Sequence, residues 1–418
     1  MTAQAMLDTL IIDVGSTSVK AAALALAAGA STIEVLDERP APAAVSPRPG
    51  RHETDPELFV ALVTEIISSA QHIHPGLRRI AFSTQMHGVL LSDRDNIPLS
   101  PFLSWQDERI LEEVDGISWL ERARREIPVE HFTAGGVSPR VGLGGLAIAA
   151  WLQEHHDTPA GTRIHTLGSF LIARLAGVYI THLTNAAPLG LVELSTGQWN
   201  AELVAALGLD RFELPHIVDG YAPVGVLSGQ RGSALQIYPD IGDHQASVLG
   251  SGLEPGELAI SLGTAGIAAC LSDSLARPHP DVEVRPYVKG QYLLVRTRQP
   301  GGRAADHFAA AVRELAASVQ AEVPRAMLWS AVSSPGDDVW GNLAEGFLTQ
   351  YTEAYRTAMA QLFGGQLPTQ LRLNGGMARH IPWFAQAFGQ SLGLQTVSPA
   401  NEDLATVGVV TLLQQDQA

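Results

Sequence analysis

The stretch that most limits what this chain can become is Leu10-Ile11-Ile12-Asp13-Val14-Gly15-Ser16-Thr17-Ser18-Val19-Lys20, followed by the apolar run Ala21 to Leu26. The apolar residues before Asp13 suit a strand buried on both faces. Gly15 lets the backbone turn and approach a ligand with no Cβ in the way. Ser16, Thr17 and Ser18 offer hydroxyls and backbone N–H groups to an anion. Asp13, at the mouth of the turn, can hold a metal through water. A phosphate tail with Mg²⁺ needs those groups together. An ordinary hairpin with a Gly-Ser-Thr turn has the same pattern.

A second stretch repeats it. Glu257 to Leu271 reads as apolar strand, Gly263-Thr264, then a small-apolar strand. Aligning Gly15 with Gly263 makes the chain two related halves, whose hairpins could grip one phosphate tail from opposite sides. A length of 418 residues fits about two to three domains. With 46% hydrophobic and 17% charged residues, large buried cores are available.

A net charge of −16 argues against a nucleic-acid partner but not against a small anionic substrate. Cys270 is the only cysteine, so no intrachain disulfide and no cysteine zinc site is expected. The sequence carries no signal pattern and no apolar run of about 20 residues. It therefore reads as a cytoplasmic protein without a membrane partner. Strands and helices alternate along the chain, as in an α/β protein.

Other stretches carry side chains suited to a polar pocket. A strand at Arg79 to Ser83 ends in Thr84-Gln85-Met86-His87-Gly88, and Trp105-Gln106-Asp107-Glu108-Arg109 leads into a helix expected from Ile110. Gly242-Asp243-His244-Gln245-Ala246 sits at a strand-to-helix turn. Leu371 to Arg379 reads as strand, glycine turn and helix, containing Asn374-Gly375-Gly376-Met377. Asp243 could be a plain helix cap, His87 an interior histidine and Trp105 a core aromatic. Lys20 lies past the first turn and could simply be solvated.

In this order the motifs resemble those of the FGGY carbohydrate kinases, most like sedoheptulokinase and next xylulokinase. The resemblance implies an α/β protein with two ribonuclease-H-like domains of the actin/hexokinase/Hsp70 superfamily and an interdomain cleft. The implied division is a sugar-binding domain at 1–248 and a shortened nucleotide-binding domain at 249–418. The implied reaction moves the γ-phosphoryl group of Mg-ATP to a primary hydroxyl of a ketose.

By resemblance Asp243 is the catalytic base and Asp13 organises Mg²⁺. Gly15, Ser16 and Thr17, with Gly263 and Thr264, match the phosphate loops. Gly375, Gly376 and Met377 match the adenosine-side loop. Gln85, Met86, His87 and Trp105 match the sugar pocket, and His244 extends it. The implied partners are a small-molecule sugar and ATP, with a homodimer left open.

The chain departs from that family between Val332 and Trp340, where it is shorter than typical members. Arginine is also sparse near the phosphate motifs, so backbone dipoles and Mg²⁺ would carry most of the charge. Two other functions therefore stand beside the kinase. One is a catalytically weak sugar-binding relative with a truncated nucleotide domain. The other is an actin- or Hsp70-like ATPase, which the Gln85–Gly88 and Trp105–Arg109 segments oppose.

Overall fold

The computed structural model describes residues 7–26, 33–228, 234–321, 339–380, 382–397 and 403–415. The chain separates into two compact units. One runs to Gly250 and resumes at Asp403; the other is Ser251–Glu402. The expected second domain, 249–418, thus gives up its last helix, Leu404–Gln415, to the first unit. That helix packs on the helix Asp243–Gly250. Small residues make the approach: a Cβ on Gly408 would overlap the backbone of Ala246, and one on Gly250 the carbonyl of Leu404.

The first unit is built on six strands: β1 (Thr9–Val14), β2 (Ser18–Leu24), β3 (Ile33–Pro40), β4 (Arg79–Thr84), β5 (Gly225–Ser228) and β6 (Ala234–Gly242), in the order β5-β6-β4-β1-β2-β3. β1, β2 and β3 form an antiparallel meander, while β4 and β6 run parallel to β1. Leu10, Ile11 and Ile12 are fully buried, as a strand covered on both faces requires. The helix Pro56–Ile73 covers this sheet. Asp55 caps it by accepting from Glu57 N, and Pro56 opens it. Its buried stripe is Phe59, Val63, Ile66, Ile67 and Ala70, at helical spacing, while Leu58 is exposed.

The residues between β4 and β5 carry a core of their own. It gathers Val89, Leu91 and Leu103 with the helices Trp119–Glu126 and Gly144–Glu154. The helix expected from Ile110 is one short 3₁₀ turn, Arg109–Leu111. Arg109 is spent on an ion pair with buried Asp107 at 2.7 Å, and Asp107 also accepts from His52 N. These bonds, with the turn closed by Asp107 N on Ser104 O, hold the chain in a geometry that a continuous helix would break.

The second unit repeats the arrangement. It contains β7 (Leu258–Leu262), β8 (Gly266–Ser272), β9 (Glu283–Pro286), β10 (Tyr292–Gln299), β11 (Leu371–Asn374) and β12 (Thr396–Val397), ordered β9-β10-β8-β7-β11-β12. Within it, β10-β8-β7-β11-β12 has the same three-antiparallel, then-parallel pattern as β3-β2-β1-β4-β6. Both halves are therefore α/β sheets of ribonuclease-H-like order. The helix Gly302–Ser318 and the long helix Val339–Phe363 complete this unit. Most of the departing segment, 332–338, lies outside the described residues; Val339 and Trp340 begin the long helix.

Candidate active site

In the first unit the expected residues gather at the ends of β1, β4 and β6. Pairing of β1 with β4 sets Asp13 beside Ser83, and pairing of β4 with β6 sets Thr84 beside Gly242. Gln85, Met86 and His87 follow β4, and Asp243 and His244 follow β6. Backbone bonds tie these turns. Gln85 N donates to Val14 O at 2.9 Å, and Gln85 Nε2 to Gly15 O at 3.3 Å. Gly242 lies against Met86, where a Cβ would meet the Met86 sulfur at 2.8 Å.

The phosphate-type turn leaves Ser16 and Thr17 exposed. Gly15 N donates to Ser18 O at 3.0 Å, and a Cβ on Gly15 would lie equally close to that oxygen. Close approach, rather than a left-handed backbone, accounts for this glycine.

Asp13 is the electrostatic centre. Its Oδ1 is buried without a hydrogen-bond partner. Burial first, then the carboxylates of Asp403 and Asp243, push its pKa up to about 7, against smaller opposing effects of Ser83 and Lys20. Lys20 stands opposite Asp13 in the hairpin, 3.8 Å from Glu38. A buried, unpartnered carboxylate oxygen among other acids is a place for a cation. Among the described residues no group of three or more His, Cys, Asp or Glu could hold a metal outright. The residues therefore suit a hydrated Mg²⁺ held by one or two carboxylates and by phosphate oxygens.

His87 is half-buried and adopts φ 71°, a left-handed conformation rare for residues other than glycine. Its Nδ1 lies 3.0 Å from Pro188 O, which holds the ring. Strain of this kind persists where the surroundings over-determine it, as at ligand sites. Asp243 opens the helix Asp243–Gly250, and its Oδ1 accepts from His244 N at 2.7 Å. Trp105 is half-buried and follows Leu103 and Ser104; Leu103 pairs with Val89 next to the His87-Gly88 turn.

The remaining expected residues form a separate group in the second unit. Gly263 and Thr264 turn β7 into β8, and their carbonyls accept from Gly302 N at 2.8 Å and Arg303 N at 3.2 Å. Gly375 follows β11 with φ 98°, and a Cβ there would lie 2.6 Å from the Leu262 backbone. Gly376 starts the short helix Gly376–His380, and Met377 is buried against the Tyr351 hydroxyl.

Sequence reasoning passed over Ser83, Asp403 and the buried polar residues Thr84, Thr184, Asn185 and Asp240. Ser83, Thr84, Thr184 and Asn185 are common residue types in unremarkable surroundings. A lone Asp240 inside the apolar strand Ile237 to Ile241 was a usable signal, because buried acids are rare unless bonded.

Two sheets of matching order, each with a glycine-hydroxyl hairpin at the end of one strand, define a duplicated two-unit α/β fold. The family description "FGGY family of carbohydrate kinases, N-terminal domain" matches residues 9–249. The chain belongs to the FGGY family of carbohydrate kinases.

A xylulose kinase from Staphylococcus xylosus is 26% identical over 246 residues, 54% of this chain and 48% of the relative. A glycerol kinase from Citrifermentans bemidjiense is 28% identical over 287 residues, 64% of this chain and 55% of the relative. The chain thus spans about half the length of the curated relatives it matches. The structure of a ligand-bound xylulose kinase from Lactobacillus acidophilus superposes with a TM-score of 0.79 at 20% identity, covering 98% of this chain and 89% of that one. That likeness establishes the fold. No helix among the described residues is long and apolar enough to cross a membrane.

Proposed function

We propose that this protein is an ATP-dependent sugar kinase that phosphorylates a primary hydroxyl of a ketose, xylulose- or sedoheptulose-like. One observation carries the proposal: the Asp13 carboxylate, whose Oδ1 is buried without a hydrogen-bond partner, lies within electrostatic reach of Asp243, at strand ends shared with the Gln85–His87 turn. That is the arrangement a phosphoryl transfer needs, with positioned charge and a base and no covalent nucleophile.

In this reading Gln85, Met86, His87, Trp105 and His244 receive the sugar. Gln85 and His87 offer polar contacts and the tryptophan face suits C–H groups. Asp243 accepts the proton of the attacking hydroxyl as its oxygen bonds to the γ-phosphorus. The bond from that phosphorus to the β-phosphate oxygen breaks, and ADP leaves. Gly15, Ser16 and Thr17 in one unit, and Gly263, Thr264, Gly375, Gly376 and Met377 in the other, serve ATP. Asp13 would hold Mg²⁺, which when bound neutralises charge on the phosphates.

The xylulose kinases among the relatives favour a ketose, and the cytoplasm, where ATP and sugars meet, is the expected location. A coupled ADP-release assay over xylulose, sedoheptulose, ribulose, gluconate and glycerol tests the proposal. Ketose-dependent ADP formation supports it. Glycerol as best substrate would recast the pocket, sugar binding without turnover would indicate a sugar-binding relative, and sugar-independent hydrolysis an ATPase.

A further inference from the structure

Between β4 and β6 the register slips. Ile237 pairs with Ile80 and Asp240 with Phe82, so three steps on one strand face two on the other. This is a bulge, and it falls at Tyr238-Pro239, where proline has no N–H to give the ladder. The ladder resumes beyond the bulge, so that Asp240, Ile241 and Gly242, which lead into Asp243, pair with Phe82, Ser83 and Thr84.

A short buried segment braces the strand ends beyond the bulge. The strand Ile180–His182 runs into a single helical turn, Leu183–Ala186. Asn185 Nδ2 donates to Asp240 Oδ2 at 2.7 Å and to Thr84 Oγ1 at 3.0 Å, bridging the ends of β6 and β4. His182 N donates to Asp240 Oδ1 at 3.2 Å.

Thr184 Oγ1 accepts from Gly242 N at 3.0 Å, which leaves its own hydrogen to donate to His182 Nδ1, 2.8 Å away. His182 Nδ1 also accepts from Thr184 N, so the ring is neutral and protonated at Nε2; burial pushes its pKa down to about 4. Thr84, Thr184, Asn185 and Asp240 are all buried from solvent. A broken link here would leave a buried donor or acceptor unmet.

We propose that Thr184 and Asn185 are positioning residues that fix Asp243 relative to the Gln85–His87 turn. Thr184 acts on the base through the Gly242 amide, one residue before it. Asn185 sets the spacing of the two turns through Asp240 and Thr84. The inference rests on Asp243 being the base of a sugar kinase, but its physical part, the clamp, is testable without turnover.

Two readouts test it on Thr184→Val, Thr184→Ser and Asn185→Ala. The first is native-state amide exchange at Gly242 to His244, which is independent of the kinase reading. Thr184→Val should speed exchange there well beyond the rest of β6, and Thr184→Ser should restore protection. Uniform or unchanged exchange overturns the clamp.

The second is kinetics with the preferred sugar. Thr184→Val should lower kcat by about 10- to 100-fold, more than a core variant such as Ile66→Val chosen to lose as much thermal stability. It should change little further in an Asp243→Asn background, because both act through one group. Asn185→Ala should lower kcat and raise KM for the sugar together. A Thr184→Val effect no larger than that of the core variant, or fully additive with Asp243→Asn, overturns the positioning role. Wild-type kcat in Asp243→Asn alone would overturn the base assignment and leave the exchange result to judge the clamp.

Discussion

Gly242 and Met86 touch where two loops of the candidate site meet: a methyl group on the glycine would lie 2.8 Å from the methionine sulfur. The residue before Asp243 and the centre of the Gln85–His87 turn are thus packed as one piece. Gly242→Ala should cost about 1–3 kcal/mol by overpacking. Met86 is flexible, so relief would come from its movement. The expected result is a several-fold rise in sugar KM with a smaller change in nucleotide KM, read by steady-state kinetics beside a melting curve. A normal sugar KM would separate Met86 from the sugar pocket.

Gly375→Ala should be costlier. The backbone there is left-handed, and the new Cβ would meet the Leu262 main chain, which cannot rotate away. A loss of about 2 kcal/mol or more is expected, together with weaker binding of ATP in calorimetric titration. Sugar binding should be retained, because the expected sugar residues lie in the other unit. Equal loss of both ligands would contradict that division of labour.

Much of this was legible in the sequence because it is local. The Leu10–Lys20 and Glu257–Leu271 hairpins, the strand–turn–helix at Leu371–His380 and the strand-to-helix turn at Asp243 are each written in a short run of residues. The return of Leu404–Gln415 to the first unit was not legible. Its contact rests on Gly408 against Ala246, and a stripe of small residues names no partner. The clamp at Thr184 and Asn185 was hidden likewise. Its partners, Thr84 and Asp240, are far away in the chain. Its helical turn at Leu183–Ala186 follows from the capping bond of the His182 side chain to Thr184 N.

Asp240 gives a pH dependence. Burial pushes its pKa up to about 7, against smaller opposing effects of its hydrogen bonds. The unfolded chain ionises it near 4. Between those values the folded state holds the proton more often, so Asp240 adds stability below about 4 that fades as pH rises to about 7. Buried Asp13, also raised to about 7, acts in the same direction in metal-free protein. Urea titrations in chelator from pH 4 to 8 should show stability falling across this window. Asp240→Asn should flatten the slope and lower stability at the acid end, since one of its two accepting oxygens is lost while the burial penalty of the charge is absent at high pH. An unchanged slope would mean that Asp240 is charged at all these pH values.

The central claim is that Asp243 accepts the sugar's proton, and kcat of Asp243→Asn measures it most directly. The amide keeps the shape and one acceptor, so sugar affinity and melting temperature should stay close to those of the parent protein. Turnover should fall by about 10²- to 10⁴-fold, the usual worth of a positioned base. Asp243→Ala, measured alongside, should be as inactive and lose about 1 kcal/mol more if the side chain also supports the helix start. An Asp243→Asn variant with the parent's kcat would contradict the account and leave Asp243 as a structural residue at the start of its helix.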